Sequence, residues 1–98
     1  LIKFPTIQYA YEALKLGGGV PAALNGANET LVDLFITQKI KFTVIFEQLQ
    51  KLLKTLKMKF DSNCEQYLQE IESIDDAIQS DQWGRQFIQD QLKTNFKN

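Results

Sequence analysis

At 98 residues, with 44% hydrophobic and 23% charged residues, the chain has room for one folded domain around a single core. No apolar run approaches the roughly 20 residues that span a bilayer, and the N-terminus lacks the apolar stretch of a signal peptide, so we expect a cytoplasmic protein with no membrane partner. The single cysteine, Cys64, and the absence of histidine exclude an internal disulfide and a Cys–His catalytic pair.

Charge is distributed unevenly around a net value of −1. Residues 1–60 contain eight Lys and four acidic residues, and residues 61–98 contain three basic and eight acidic ones, so the halves carry +4 and −5 and should attract each other. No nucleic-acid partner is expected, because the lysines of 51–59 suit the negative end of a helix dipole and Arg85 is the only arginine.

The first helix is predicted over 5–16, since Pro5 is tolerated in a first helical turn and Gly17 ends the pattern. Its apolar residues recur at helical spacing and predict a core-facing stripe of Ile7, Ala10 or Tyr11, Leu14 and Leu16. The glycines at 17–19 can adopt positive φ angles and predict a tight reversal. A phosphate-binding loop is not expected there, because no Gly-Lys-Ser/Thr follows.

The second helix is predicted over 21–37 and is apolar around more than half of its circumference. The stripe consists of Leu24, Ala27, Leu31 and Leu34, with Val32, Phe35 and Ile36 beside it. A helix of this kind is usually wedged between neighbours.

Asn25, Asn28 and Glu29 share one face near the start of this helix, because they are three and four residues apart. One interpretation makes Glu29 a metal ligand or a general acid/base, with the amides orienting a substrate. The interpretation that we favour is a buried or half-buried hydrogen-bonding cluster that fixes the start of the helix and a neighbouring loop, since one carboxylate without a neighbouring Asp or His makes a poor divalent-metal site. Gly26 and Ala27 beside them would permit close approach of another backbone.

The third helix is predicted to start with Thr43 as its N-cap. Its apolar seam is Ile45, Leu49, Leu52, Leu53, Leu56 and Phe60, and its solvated side is Gln48, Lys51, Lys54 and Lys57.

The last third of the chain contains weaker signals. After a turn at 61–63, a short helix is predicted over 64–72, and Ser73 and Asp76 have the S-x-x-D form that starts a helix, with apolar contacts from Ile74 and Ile78. Asp81 is predicted as the N-cap of a last helix over 82–96, whose first turn Gly84 would weaken. Trp83, Phe87, Ile88 and Leu92 are expected to face inward. The whole pattern predicts an all-α bundle of four or five helices, with Leu24, Leu31, Phe35, Leu49, Leu52, Leu53, Trp83 and Phe87 in its core.

Several of these motifs together resemble the C-terminal helical domain of 1-deoxy-D-xylulose 5-phosphate reductoisomerase. The match is densest at residues 24–29, Leu-Asn-Gly-Ala-Asn-Glu. Its upstream flanks are Phe4 with Pro5, residues 11–14 and the three glycines; downstream flanks are Val32, Phe35 and residues 40–43. A second match covers residues 73–76, Asp81 and residues 83–85, where Gly84 stands in place of the family's Ala.

The resemblance implies that residues 1–98 are the C-terminal domain of a larger enzyme that packs against and supports its catalytic domain. It implies a homodimeric parent that uses NADPH and a divalent metal, Mg²⁺ or Mn²⁺, in isoprenoid biosynthesis. No family motif for metal, substrate or nucleotide matches any position here, so we assign no catalytic, cofactor or metal residue and expect the 98-residue chain to be inactive. The alternative is a free-standing helical interaction module.

Overall fold

A computed structural model describes residues 5–61 and 66–96, with side chains at 8–59 and 68–93. The described chain is all-α, as predicted. Its helices are α1 (Pro5–Leu16), α2 (Val20–Ile36), α3 (Phe42–Asp61), α4 (Gln66–Gln69) and α5 (Ile74–Phe96). None of them combines the length and apolar composition needed to cross a bilayer.

The glycine turn between α1 and α2 has the backbone conformation predicted for it. Gly17 and Gly18 have φ angles of 76° and 56°. The Gly19 amide, directly before α2, donates to the Leu68 carbonyl at 2.9 Å. A Cβ on Gly18 would collide with the carbonyls of Leu68 and Gln69. This turn therefore reverses the chain and also holds α4 against the start of α2.

Helix α2 is the central element, as its apolar circumference predicts. It contacts α1, α3, α4 and α5, with its most extensive contact to α5. The buried apolar residues lie on every helix and form one core: Ala13, Val20, Ala23, Leu24, Ala27, Leu31, Ile45, Leu49, Leu52, Leu53, Leu56, Leu68, Ile88 and Leu92. The described part of the α3 seam, from Ile45 to Leu56, is buried as predicted; the side chain of Phe60 lies outside the described residues.

The inward face of α1 differs from the predicted one. Leu16 packs against the core as predicted, but the other inward residues are Ala13 and Tyr9. Ala10 is exposed, and Tyr11 and Leu14 are 64% and 65% exposed. Both sets of residues have helical spacing, so periodicity could not choose between them; the predicted Ile7 lies outside the described side chains.

Several predictions of burial are also wrong. Phe35, predicted in the core, is exposed, as are Ile74 and Ile78. Phe35 instead contacts the ring of Phe42, with centroids 5.4 Å apart. Trp83 and Phe87 are half-buried, stack on each other and pack against the core. Gln48, predicted on the solvated side, is only 3% exposed.

Two predicted helix caps are wrong. Thr43 is the second residue of α3, because the Val44 amide donates to the Lys41 carbonyl at 3.0 Å and the helix begins earlier. Asp81 lies in the middle of α5, because residues 74–96 form one continuous helix instead of two. Ser73 directly precedes α5, and its Oγ accepts a hydrogen bond from the Asp76 amide at 3.2 Å. Of the helix predicted over 64–72, only Gln66–Gln69 are helical; residues 70–72 are not, so the prediction is wrong there, and Cys64 lies outside the described residues.

Candidate functional site

Asn25, Asn28 and Glu29 are the sixth, ninth and tenth of the 17 residues of α2, so they share one side of the helix as predicted from their spacing, with Asn28 and Glu29 at its middle instead of its start. Asn25 Nδ2 donates to Glu29 Oε2 at 3.2 Å, an interaction within one helical turn. Glu29 Oε1 accepts from Arg85 Nη2 at 2.6 Å, which joins α2 to α5. The expectation of a buried or half-buried cluster is wrong for Asn25 and Glu29, which are exposed; Asn28 is half-buried, so the cluster lies at the surface of the bundle and contacts α5 instead of a loop.

Arg85 lies between two carboxylates. Its Nε donates to Asp81 Oδ2 at 2.8 Å, one turn earlier on α5, and its Nη2 donates to Glu29. The hydrogen bond to Asp81, followed by that to Glu29, raises the pKa of the guanidinium above its usual value. Since the Arg85 and Glu29 side chains are 38% and 55% exposed, each ion pair contributes at most about 1 kcal/mol to stability.

The close approach of α2 and α5 brings Glu29 on α2 within hydrogen-bonding distance of Arg85 on α5. A Cβ on Gly26 would collide with the Asp81 backbone and lie 2.6 Å from Asp81 Oδ1, and a Cβ on Gly84 would collide with the Ala23 carbonyl. The expectation that Gly26 admits another backbone is thereby confirmed. Gly84, predicted to weaken a first turn, is instead a buried mid-helix residue at this crossing.

An open cleft of about 310 Å³ lies between α1 and α2 beside the polar cluster. Its base is apolar and includes the buried Ala13, Leu24 and Leu49, and its polar edge is formed by Asn25 and Asn28. The Asn28 side chain makes no hydrogen bond to any described residue, so its donor and acceptor groups are available.

Glu29 is engaged by Arg85 and Asn25, and no three His, Cys, Asp or Glu side chains converge within residues 5–61 and 66–96 as a metal ion would need. The Glu29–Arg85 pair was not predicted, because its members are 56 residues apart and no local spacing connects them. The signal that could have found it is that both residues lie in the motifs that carry the family resemblance.

These features define an all-α domain whose polar cluster connects two packed helices. A family model described as the DXP reductoisomerase C-terminal domain matches residues 1–87, so the chain belongs to that family.

Relatives with this domain include 1-deoxy-D-xylulose 5-phosphate reductoisomerases from three bacteria. The protein from Acetivibrio thermocellus is 38% identical over 92% of this chain and 21% of its own length. That from Bacillus cereus is 37% identical over 94% of this chain and 21% of its own length, and that from Nostoc sp. is 39% identical over 88% and 20%. The chain thus spans about a fifth of the relatives it matches. No solved structure matches it at a significant level.

Proposed function

We propose that residues 1–98 are the C-terminal supporting domain of a 1-deoxy-D-xylulose 5-phosphate reductoisomerase. The observation that carries the proposal is the family match over residues 1–87. In addition, the part of each relative that this chain matches is about a fifth of that relative's length. The geometry is consistent with a supporting role. Within the motif at 25–29, Gly26 and Glu29 contact α5, and Asn25 and Glu29 lie at the surface of the bundle. The partner in this proposal is the catalytic domain of the same polypeptide.

The parent enzyme in this proposal is a cytoplasmic homodimer that converts 1-deoxy-D-xylulose 5-phosphate to 2-C-methyl-D-erythritol 4-phosphate for isoprenoid biosynthesis. NADPH supplies the hydride, and Mg²⁺ or Mn²⁺ binds elsewhere in the parent. The described residues do not fit the metal ion: the motif carboxylate, Glu29, is held by Arg85, and no group of three His, Cys, Asp or Glu side chains that could hold a metal ion lies within the described residues. No step of the reaction is assigned to this domain.

Glu29 is proposed as a structural residue that connects α2 to α5. A Glu29→Gln variant of the full-length enzyme keeps a side chain that can still accept a hydrogen bond from Arg85 while removing the charge. Because the pair is exposed, we expect a loss of no more than about 1 kcal/mol in stability and nearly unchanged kcat and KM. A collapse of kcat in a normally folded variant would instead assign Glu29 to catalysis.

The proposed activity is tested by following NADPH oxidation with 1-deoxy-D-xylulose 5-phosphate and Mg²⁺ or Mn²⁺. The full-length gene product that contains these residues should be active, and the 98-residue chain should not. Activity in the short chain would reveal a catalytic site within it. Inactivity of a folded full-length protein would overturn the proposal and favour the free-standing interaction module, for which the exposed Tyr11 and Leu14 would supply an apolar contact.

A further inference from the structure

Helix α1 presents apolar side chains on two sides, and the described bundle covers only one of them. Tyr9, Ala13 and Leu16 face the core, whereas Tyr11 and Leu14 remain almost two-thirds exposed. A helix that is apolar on both sides is normally packed between two neighbours. The outer side of α1 is therefore a candidate surface for a second contact.

The outer side of α1 continues into the cleft against α2. Ala10 and Leu14 form one wall, and Pro21 and Leu24 lie across from them. The volume of about 310 Å³ is at the lower end of the range of binding pockets, roughly 300–1,000 Å³, and the cleft is open to one side. Its size and lining suit an inserted apolar side chain.

The amides at the edge of the cleft are arranged for a peptide backbone. Glu29 accepts from Asn25 Nδ2 and is itself held by Arg85, so Asn25 is fixed with its Oδ1 left to accept. Asn28, half-buried and without a hydrogen bond to the described residues, offers both a donor and an acceptor. The amide atoms of Asn28 reach solvent, and the N–H and C=O groups of an adjoining peptide unit would be complementary to them.

We propose that this cleft receives a segment of the catalytic part of the same polypeptide, which inserts an apolar side chain between α1 and α2 and hydrogen-bonds its backbone to Asn25 and Asn28. The inference rests on the proposed function and specifies the surface through which the support acts. About four-fifths of each relative lies outside the matched region, and the matched domain is the C-terminal one, so in such an enzyme that part precedes α1. Pro5 and Leu14 are about 14 Å apart along the helix axis, a distance that about four or five extended residues cover.

A second exposed apolar surface lies around Phe35, Ile36 and Phe42, at the other end of α2. It is less suited to this role, because Phe42 is packed between the rings of Phe35 and Phe46, with centroid distances of 5.4 Å and 5.0 Å. Those ring contacts lie within the bundle, with Phe35 and Phe42 still 39% and 50% exposed. Ile36, 69% exposed on that surface, is therefore a matched control for Leu14 at 65%.

The test uses the full-length gene product and two variants, Leu14→Asp and Ile36→Asp, with amide hydrogen exchange measured over the region that precedes residue 1. We expect Leu14→Asp to accelerate exchange in one segment of that region by about tenfold or more, the effect of losing one buried leucine contact. Ile36→Asp should leave exchange unchanged. Asn28→Ala, which removes no hydrogen bond within the described bundle, should accelerate the same segment even if Leu14→Asp folds poorly.

Equal exchange in all variants, or a larger effect of Ile36→Asp, would overturn the inference. So would a change of oligomeric mass in Leu14→Asp without altered exchange, which would assign the cleft to contact between copies of the chain. Reductoisomerase activity of the unmodified protein is measured in parallel. An inactive protein refutes the proposed function, whereas an active protein with unaltered exchange refutes only the docking surface.

Discussion

Replacing Gly84 with Ala has two opposing effects on stability: the higher helix propensity of Ala stabilises α5, and the added Cβ disturbs the packing of α5 against α2. In a solvent-exposed helix the change would stabilise by about 1 kcal/mol. Here the new Cβ would fall on the carbonyl group of Ala23 and lie 3.0 Å from its Cα. Overpacking costs about 1–3 kcal/mol, and the upper end applies because the obstacle is backbone that cannot rotate away. We expect a net loss of about 2 kcal/mol after the propensity gain is subtracted.

Thermal unfolding followed by circular dichroism measures this effect directly. For a chain of this size about 1 kcal/mol corresponds to about 4–8 °C, so Gly84→Ala should lower Tm by roughly 10 °C. Gln89→Ala, on an exposed position of the same helix, is the control and should change stability by less than about 0.5 kcal/mol. A Tm for Gly84→Ala equal to or above that of the wild type would refute the close crossing of α2 and α5.

Two further substitutions test the core. Leu52→Ala removes a fully buried side chain and should cost about 2–5 kcal/mol in urea unfolding; an unchanged midpoint would place the α3 seam at the surface. Gln48→Met replaces a buried amide, whose Oε1 has no hydrogen-bond partner in the described chain, with an apolar side chain of similar shape. It should stabilise by about 1–3 kcal/mol, and a lower Tm would mean that the amide is satisfied in solution.

Elements whose apolar residues allow only one choice of buried face could be predicted from the sequence. The α3 seam is unambiguous from Ile45 to Leu56, and the broad apolar surface of α2 predicts its central position. Gly17 and Gly18 likewise predict the turn, because positive φ angles favour glycine. In these cases local physical chemistry and tertiary packing favour the same structure.

The failures occur where tertiary contacts choose between local alternatives. Helix α1 has two apolar stripes, and only contact with α2 and α3 determines which one is buried. Asp81 has the chemistry of a cap but lies within α5, where Arg85 provides its partner. The cluster at Asn25 and Glu29 was predicted as a group, whereas its connection to Arg85 and its position beside a cleft depend on how α2 and α5 cross.

The central claim, that this domain supports a catalytic domain, is tested most directly by deleting residues 1–98 from the full-length gene product and measuring turnover and Tm together. The account predicts a folded enzyme before deletion and, after it, loss of most NADPH oxidation with a lower Tm for the remaining part. Full activity and an unchanged Tm in the shortened protein would contradict it.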